Sequence, residues 1–179
     1  MAEKWDLYDI NRLKTGETTE RGGTIPPDRY HLVVHVCIFG SDGRMLIQQR
    51  QPFKEGWSNM WDVTVGGSAV SGDTSQTAAE REVMEEIGLP LSLDGERPRF
   101  TINFDVGFDD IWCINRDVDI SALKLQYEEV QAVKWATKEE ILAMIDSGEF
   151  IPYHKSLIDL FFLYSGQIGT FDNRHSENK

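Results

Sequence analysis

Runs of apolar residues separated by turn-forming residues predict most of the strands in this 179-residue chain. Residues 30–39 read YHLVVHVCIF, and this β-branched, apolar composition is typical of a buried strand. A Ser-Asp-Gly turn leads into residues 44–50, so the two runs together predict a β-hairpin. Residues 11–29 contain paired glycines and prolines and are predicted to be turns and loop. Further strands are predicted over 5–10, 61–65, 100–104, 110–114 and 130–135.

Three segments are predicted to be helices. In residues 74–87 apolar side chains recur every four positions and form one stripe, made of Ala79, Val83 and Ile87. Amphipathic helices are also predicted over 138–145 and 153–164. Because helices and strands are mixed without regular alternation, the sequence predicts an α/β fold of the α+β type, with a mixed β-sheet sandwiched between α-helices.

The length and composition predict one domain. The chain is 40% hydrophobic, which is enough for a sizeable core at this length. Within that domain we expect an N-terminal arm over 1–29, the main body over 30–168 and a flexible polar tail over 169–179. Cys37 and Cys113 lie in apolar strand-like runs and are predicted to be reduced core residues.

The charge balance excludes several classes of function. Thirty acidic residues against 18 basic ones give a net charge of −12, which argues against binding to a nucleic-acid polymer or an anionic membrane. No apolar run approaches the roughly 20 residues that span a bilayer. The N-terminus lacks the basic and apolar parts of a signal peptide, so we expect a cytoplasmic protein.

Three acidic residues of the predicted helix indicate a metal site. Glu82, Glu85 and Glu86 follow the spacing i, i+3, i+4 and therefore share one helix face, where like charges repel. A bound cation would relieve that repulsion, and carboxylate oxygens suit Mg²⁺ or Mn²⁺. The glycine-rich loop over 66–72 precedes the helix, whose N-terminus favours anions. Together these features predict chemistry on a small phosphate ester, although three acids on a helix are a weak signal alone.

The segment 67–89 resembles the Nudix box, G-x5-E-x7-R-E-U-x-E-E-x-G-U, in which U is aliphatic. Asp73 is the single departure, since the pattern has Glu at that position. The positions that match in register are Gly67, Arg81, Glu82, Val83, Glu85, Glu86, Gly88 and Leu89. The chain is thus identified as a member of the Nudix family, and the flanking strands and helices fit the Nudix fold.

The resemblance implies the reaction and several residue roles. Nudix hydrolases split a diphosphate joined to another moiety, with water attacking phosphorus and Mg²⁺ (or Mn²⁺) as the cofactor. Glu82, Glu85 and Glu86 correspond to the metal-binding, catalytic carboxylates of the family. Arg81 corresponds to its orienting arginine, and Asp73, one methylene shorter than Glu, is expected to weaken or reposition its contact without abolishing function.

Other candidate residues lie outside the box. The general base is either a box glutamate or an acid on a distant loop, for which Glu129 is preferred over Glu128. Arg50 and Lys54 can bind the terminal phosphates of the substrate. The alternative is that they are ordinary surface charges on a loop. The backbone of the glycine loop is expected to approach the substrate at Gly66 and Gly67.

The region 30–61 also resembles isopentenyl diphosphate isomerase, a Nudix relative. The positions of that enzyme's catalytic cysteine and metal-binding histidine are occupied here by Gly66 and Ser68. The sequence therefore predicts an isomerase-like branch of the Nudix hydrolases, acting on a nucleoside diphosphate derivative or another small organic diphosphate. An isomerase and a non-catalytic nucleotide sensor are the alternatives. Homodimers are common in the family, but no segment of this chain identifies an interface.

Overall fold

A computed structural model describes residues 2–171 of the chain. Residues 172–179, most of the predicted flexible tail, lie outside the described part. The strands are β1 (Lys4–Tyr8), β2 (Lys14–Glu20), β3 (His31–Phe39), β4 (Met45–Arg50), β5 (Trp61–Asp62), β6 (Val65–Ser68), β7 (Phe100–Phe104), β8 (Gly107–Asn115) and β9 (Val130–Ala136). The helices are α1 (Ser75–Ile87), α2 (Lys138–Ser147) and α3 (Lys155–Gly166), and Ile120–Ala122 forms a 3₁₀ turn.

Strand β3 lies at the centre of a seven-stranded mixed sheet. It pairs in parallel with β8 over nine residues, and in antiparallel fashion with β6 and β4. The predicted β3–β4 hairpin is confirmed but short, because its ladder comprises two pairs, Ile38–Leu46 and Phe39–Met45. Beyond them β4 pairs with β5 and β9, so the sheet opens between β4 and β6.

Helices cover both faces of this sheet. Alternate side chains of β3, including Val36 and Ile38, pack with Val83 of α1 in one apolar cluster. The intervening Cys37 and Phe39 pack with residues of α2 and α3 in a second cluster on the opposite face. Each buried aliphatic side chain contributes roughly 1.5–3 kcal/mol through burial. The predicted mixed sheet between α-helices is confirmed.

Two local predictions were wrong. Residues 11–29 are not all loop, because β2 pairs with β1 in a separate two-stranded sheet. Most side chains of β2 are exposed, so the strand lacks the apolar alternation that reveals half-buried strands. The predicted strand over 61–65 is split into β5 and β6. Between them the Thr64 hydroxyl accepts a hydrogen bond from the Ile38 amide at 2.9 Å and donates to the Leu46 carbonyl, which replaces ladder bonds.

The two cysteines are core residues, as predicted. Cys37 and Cys113 are buried free thiols at paired positions of β3 and β8. Among residues 2–171, no helix is both long and apolar enough to cross a membrane.

Candidate active site

Local capping fixes the register of α1. Thr74 and Thr77 form a reciprocal capping box, in which the Thr74 hydroxyl accepts from the Thr77 amide at 3.2 Å and the Thr77 hydroxyl accepts from the Thr74 amide at 2.8 Å. Gly88 ends the helix in the left-handed conformation with φ of 66°. The buried stripe of α1 faces the sheet, and the acidic face borders a cavity beside it.

This cavity has a volume of about 230 Å³ and brings together residues from five parts of the chain. All nine site residues predicted from the sequence line it: Arg50, Lys54, Gly66, Gly67, Arg81, Glu82, Glu85, Glu86 and Glu129. Glu128, the less favoured of the two neighbouring acids, is exposed and is not among the lining residues. Every described lining residue is polar, charged or glycine, so the cavity suits a charged group rather than an apolar one.

Arg81 is the centre of the ion-pair network in the cavity. Its Nη1 donates to Glu82 Oε1 and Glu85 Oε2, each at 3.0 Å. Its Nη2 donates to Asp73 Oδ2 and to the Ser68 carbonyl, each at 3.1 Å. Burial disfavours the charge of Arg81, but the carboxylates of Glu82 and Asp73 outweigh it and raise the pKa of Arg81 above its usual value. Asp73 therefore reaches the orienting arginine despite its shorter side chain.

Glu86 is the buried carboxylate of the cavity, with 6% exposure. Gln48 of β4 donates to Glu86 Oε2 at 2.9 Å, but desolvation dominates and raises the pKa of Glu86 to about 8. The negative charges of Glu82 and Glu129 act in the same direction. Desolvation also raises the pKa of Glu82, although Arg81 opposes it. Both groups would ionise more readily beside an added cation.

The two glycines of β6 allow close packing around these carboxylates. A Cβ at Gly67 would lie 2.3 Å from the carboxylate carbon of Glu82. A Cβ at Gly66 would lie 2.7 Å from the ring of His35. A side chain at either position would displace its neighbour, so glycine is required here for space.

The loops after β4 and before β9 form another part of the cavity wall. Lys54 Nζ contacts both oxygens of Glu129 at 2.7 and 2.6 Å, and the Gln51 amide donates to the Glu129 carbonyl at 3.0 Å. These contacts hold Glu129 at the cavity. Arg50 lies beside them, and its buried Nε has no hydrogen-bond partner in the described part of the chain.

A buried polar network lies behind Arg50. Asp62 Oδ2 is 4.0 Å from Arg50 Nη1, and Asp62 Oδ1 accepts from the Tyr153 hydroxyl at 2.8 Å. His35 Nδ1 is 2.8 Å from Asp109 Oδ1. Burial disfavours the charged imidazole, but the Asp109 carboxylate outweighs it and raises the pKa of His35. The network places a negative charge behind a cation that faces the cavity.

Sequence reasoning missed four lining or supporting residues. Gln48 could have been noticed as a polar residue within the apolar run of β4. Gln126 lies near Glu129 in the chain but carries no motif. Glu3 and Arg21 line the cavity from the β1–β2 hairpin, and the incorrect loop prediction for 11–29 hid their proximity.

The carboxylates of the cavity are chemically suited to bind a divalent cation. Glu86 is buried beside other negative charges, and Gly67 leaves room for the carboxylate of Glu82, so a positive ion would offset an existing electrostatic cost. Among residues 2–171, no three acidic, histidine or cysteine side chains already converge as a metal cluster. Arg81 is the cation that contacts Glu82 and Glu85, so an incoming ion would compete with it.

Comparison with known proteins identifies the family. The sequence model of the NUDIX domain matches residues 29–159, most of the chain. The chain belongs to the Nudix family. An uncharacterized Nudix hydrolase of Listeria monocytogenes is 54% identical over 151 residues, which cover 84% of this chain and 89% of the relative. As a Nudix hydrolase, the protein is a pyrophosphohydrolase that acts on acid anhydrides.

Other Nudix relatives support the fold and the isomerase-like resemblance. A crystal structure from Deinococcus radiodurans has a TM-score of 0.67 and 26% identity, and covers 89% of this chain and 97% of that one. An isopentenyl-diphosphate Delta-isomerase of Streptomyces coelicolor is 34% identical over 91 residues, or 51% of this chain and 46% of the relative. This match is partial, because it covers about half of each chain.

Proposed function

We propose that this Nudix hydrolase uses Mg²⁺ or Mn²⁺ to cleave the diphosphate linkage of a nucleoside diphosphate derivative or a similar small organic diphosphate. The observation that carries the proposal is the meeting of three box glutamates, Glu129 and two phosphate-binding candidates in one cavity. Water attacks phosphorus, the P–O bond of the anhydride breaks, and each product keeps a phosphate group.

Each residue has a distinct role in this proposal. Glu82, Glu85 and Glu86 would hold the ion, and Arg81 orients the first two through its ion pairs. When bound, the ion supplies charge neutralisation at phosphate oxygens and acidifies water. Glu129 accepts the proton of the attacking water, for which its oxygens keep acceptor capacity beside Lys54.

Arg50 is proposed to bind the phosphate oxygens. Its side chain lines the cavity and is 20% exposed, and Asp62 behind it holds a compensating negative charge. Lys54 keeps its ion pair with Glu129 and adds positive potential beside Arg50. Gly66 and Gly67 contribute backbone close to the substrate, because neither carries a side chain that would fill the cavity.

The residues that line the cavity fit the two alternative functions, an isomerase and a non-catalytic nucleotide sensor, less well. The isomerase positions for cysteine and histidine hold Gly66 and Ser68, which cannot protonate a double bond. A sensor without activity has no need of the three box glutamates, and all of them line the cavity. A homodimer and a cytoplasmic location stay predictions from the sequence.

A substrate screen tests the proposal. Purified protein is incubated with nucleoside diphosphate derivatives and with isopentenyl diphosphate, with Mg²⁺ or with EDTA, and products are followed by ³¹P NMR. We expect release of phosphate or a nucleoside monophosphate only with the ion. Isomerisation of isopentenyl diphosphate without any release would overturn the proposal, and binding with neither reaction would favour the sensor.

Glu129 and its neighbour provide a matched pair of variants for the base. Glu129→Gln should lower kcat by roughly 100-fold or more, since general-base catalysis contributes about 10²–10⁴-fold. Glu128→Gln removes an adjacent exposed charge that does not face the cavity and should leave the rate unchanged. Equal effects of the two substitutions would remove Glu129 from the mechanism.

A further inference from the structure

The N-terminal hairpin lies outside the matched NUDIX domain but is fixed to the loop that carries the box. The carboxylate of Asp6 accepts from the Ser71 hydroxyl at 2.6 Å and from the Gly72 amide at 3.0 Å. Lys14 Nζ contacts Asp6 at 2.7 Å and donates to the Asp73 carbonyl at 2.8 Å. The hairpin is thus attached at the loop between β6 and α1, next to the site.

This attachment places two charged side chains in the cavity wall. Glu3 directly precedes β1 and Arg21 directly follows β2, so they lie side by side at the open end of the hairpin, and both line the cavity. The Arg21 amide donates to the Glu3 carbonyl at 2.9 Å, and Arg21 Nη1 donates to Glu3 Oε2 at 3.1 Å. Trp5 Nε1 donates to Glu3 Oε1 at 3.0 Å, while its ring stacks on His31 at 4.6 Å. Glu3 is therefore held in place and in turn positions Arg21.

Arg21 keeps free donor capacity, as Arg50 does, whereas the other two cations of the cavity are occupied by acidic partners. Arg81 is shared among three carboxylates and a carbonyl, and Lys54 is bound to Glu129. Arg21 has one side-chain hydrogen bond, to Glu3, and its side chain is 62% exposed. A guanidinium has five N–H donors in a planar fork that matches phosphate oxygens. Among the described residues, most of that fork has no hydrogen-bond partner.

We propose that the hairpin is part of the catalytic unit and that Arg21 binds a phosphate group of the substrate in the cavity that Arg50 and Lys54 also line. This inference rests on the proposed function for the identity of the substrate. The acidic face of α1, Arg21 and Arg50 line one cavity of about 230 Å³, so a diphosphate bound over the carboxylates would be within reach of both guanidiniums. Residues 1–29 would then belong to the same domain as the Nudix core.

Pyrophosphate binding tests the role of Arg21 separately from catalysis. The affinity of the full-length protein for pyrophosphate is measured by calorimetry with Mg²⁺ present, for wild type, Arg21→Ala, Arg21→Lys and a control. The control is Arg29→Ala, because Arg29 also belongs to the arm and pairs with Glu17 but does not line the cavity. We expect Arg21→Ala to bind about tenfold more weakly or worse, Arg21→Lys to recover part of the loss, and Arg29→Ala to match wild type.

The same variants are compared on whichever substrate the screen identifies. Arg21→Ala should raise KM more than it lowers kcat, because binding and not proton transfer is affected. Unchanged pyrophosphate affinity in both Arg21 variants would overturn the inference. Equal losses in Arg21→Ala and Arg29→Ala would also overturn it, since the effect would then be that of general charge. If wild type hydrolyses nothing but the pyrophosphate pattern holds, the proposed function fails and the Arg21 site stands.

Discussion

Substitution of Glu86 by Gln should make the metal-free protein more stable while removing its activity. The buried carboxylate has a pKa of about 8 against an ordinary value of 4.5, so the folded state binds a proton more tightly than the unfolded state. The contribution of Glu86 to stability is therefore greatest at low pH and falls as the pH rises from about 4.5 to about 8. Gln has nearly the same shape and carries no charge, so it avoids this penalty.

The two pKa values give the size of the effect. Linkage predicts a penalty of about 3 kcal/mol at pH 7 and about 5 kcal/mol at pH 9, and below 1 kcal/mol at pH 5. In Glu86→Gln the new side-chain amide would still accept the hydrogen bond from Gln48 Nε2, and it could donate to Gln48 Oε1, which has no partner in the described chain. For a domain of this length, 3 kcal/mol corresponds to a rise of roughly 6–12 °C in Tm.

Urea unfolding in EDTA at pH 5 and pH 8.5 measures this difference. We expect Glu86→Gln and wild type to agree within about 1 kcal/mol at pH 5 and to separate by several kcal/mol at pH 8.5. Glu85→Gln is the control, because Glu85 is 52% exposed and its pair with Arg81 contributes about 0–1 kcal/mol. A Glu86→Gln protein that is less stable at pH 8.5, or whose advantage does not depend on pH, would refute the reasoning.

Three further outcomes are expected. Gly67→Ala should lower kcat/KM by about 100-fold by displacing the carboxylate of Glu82, whereas Gly166→Ala, where a Cβ meets open space, should not. Tyr153→Phe should cost about 1–3 kcal/mol in urea unfolding, because buried Asp62 loses a 2.8 Å hydrogen bond. Mg²⁺ at 100 times its Kd should stabilise wild type by about 2.7 kcal/mol at pH 8. Mg²⁺ should stabilise the Glu86→Gln variant less than wild type. Equal stabilisation of the two proteins would show that the ion binds elsewhere.

The sequence predicted the box and its surroundings well because their signals are local. The spacing of α1 residues fixes which carboxylates share a face, and turn residues mark the ends of β3 and β4. These features depend on neighbours in the chain, so no tertiary information was needed. Arg50, Lys54 and Glu129 were predicted only as separate candidates, and the fold brings them to one cavity.

The β1–β2 hairpin could not be predicted from the sequence, and the reason is physical. Strand β2 is exposed along most of its length, so its stability comes from pairing with β1 and from polar contacts such as Lys14 with Asp6, which leave no periodic pattern. The hydrogen bond from Gln48 to Glu86 could not be predicted for a different reason. A glutamine inside an apolar strand is uninformative until the partner across the fold, Glu86, is known.

The acidity of the protein and the anionic nature of a diphosphate are compatible because of the local charges in the cavity. The whole chain carries −12, but the described cavity wall has five acidic and four basic side chains, so it is close to neutral. Each divalent ion would add two positive charges there and reverse the sign of the local field. A polyanion should therefore bind well only after the ion. Pyrophosphate affinity that is the same in EDTA and in Mg²⁺ would show that the basic residues alone hold the phosphates.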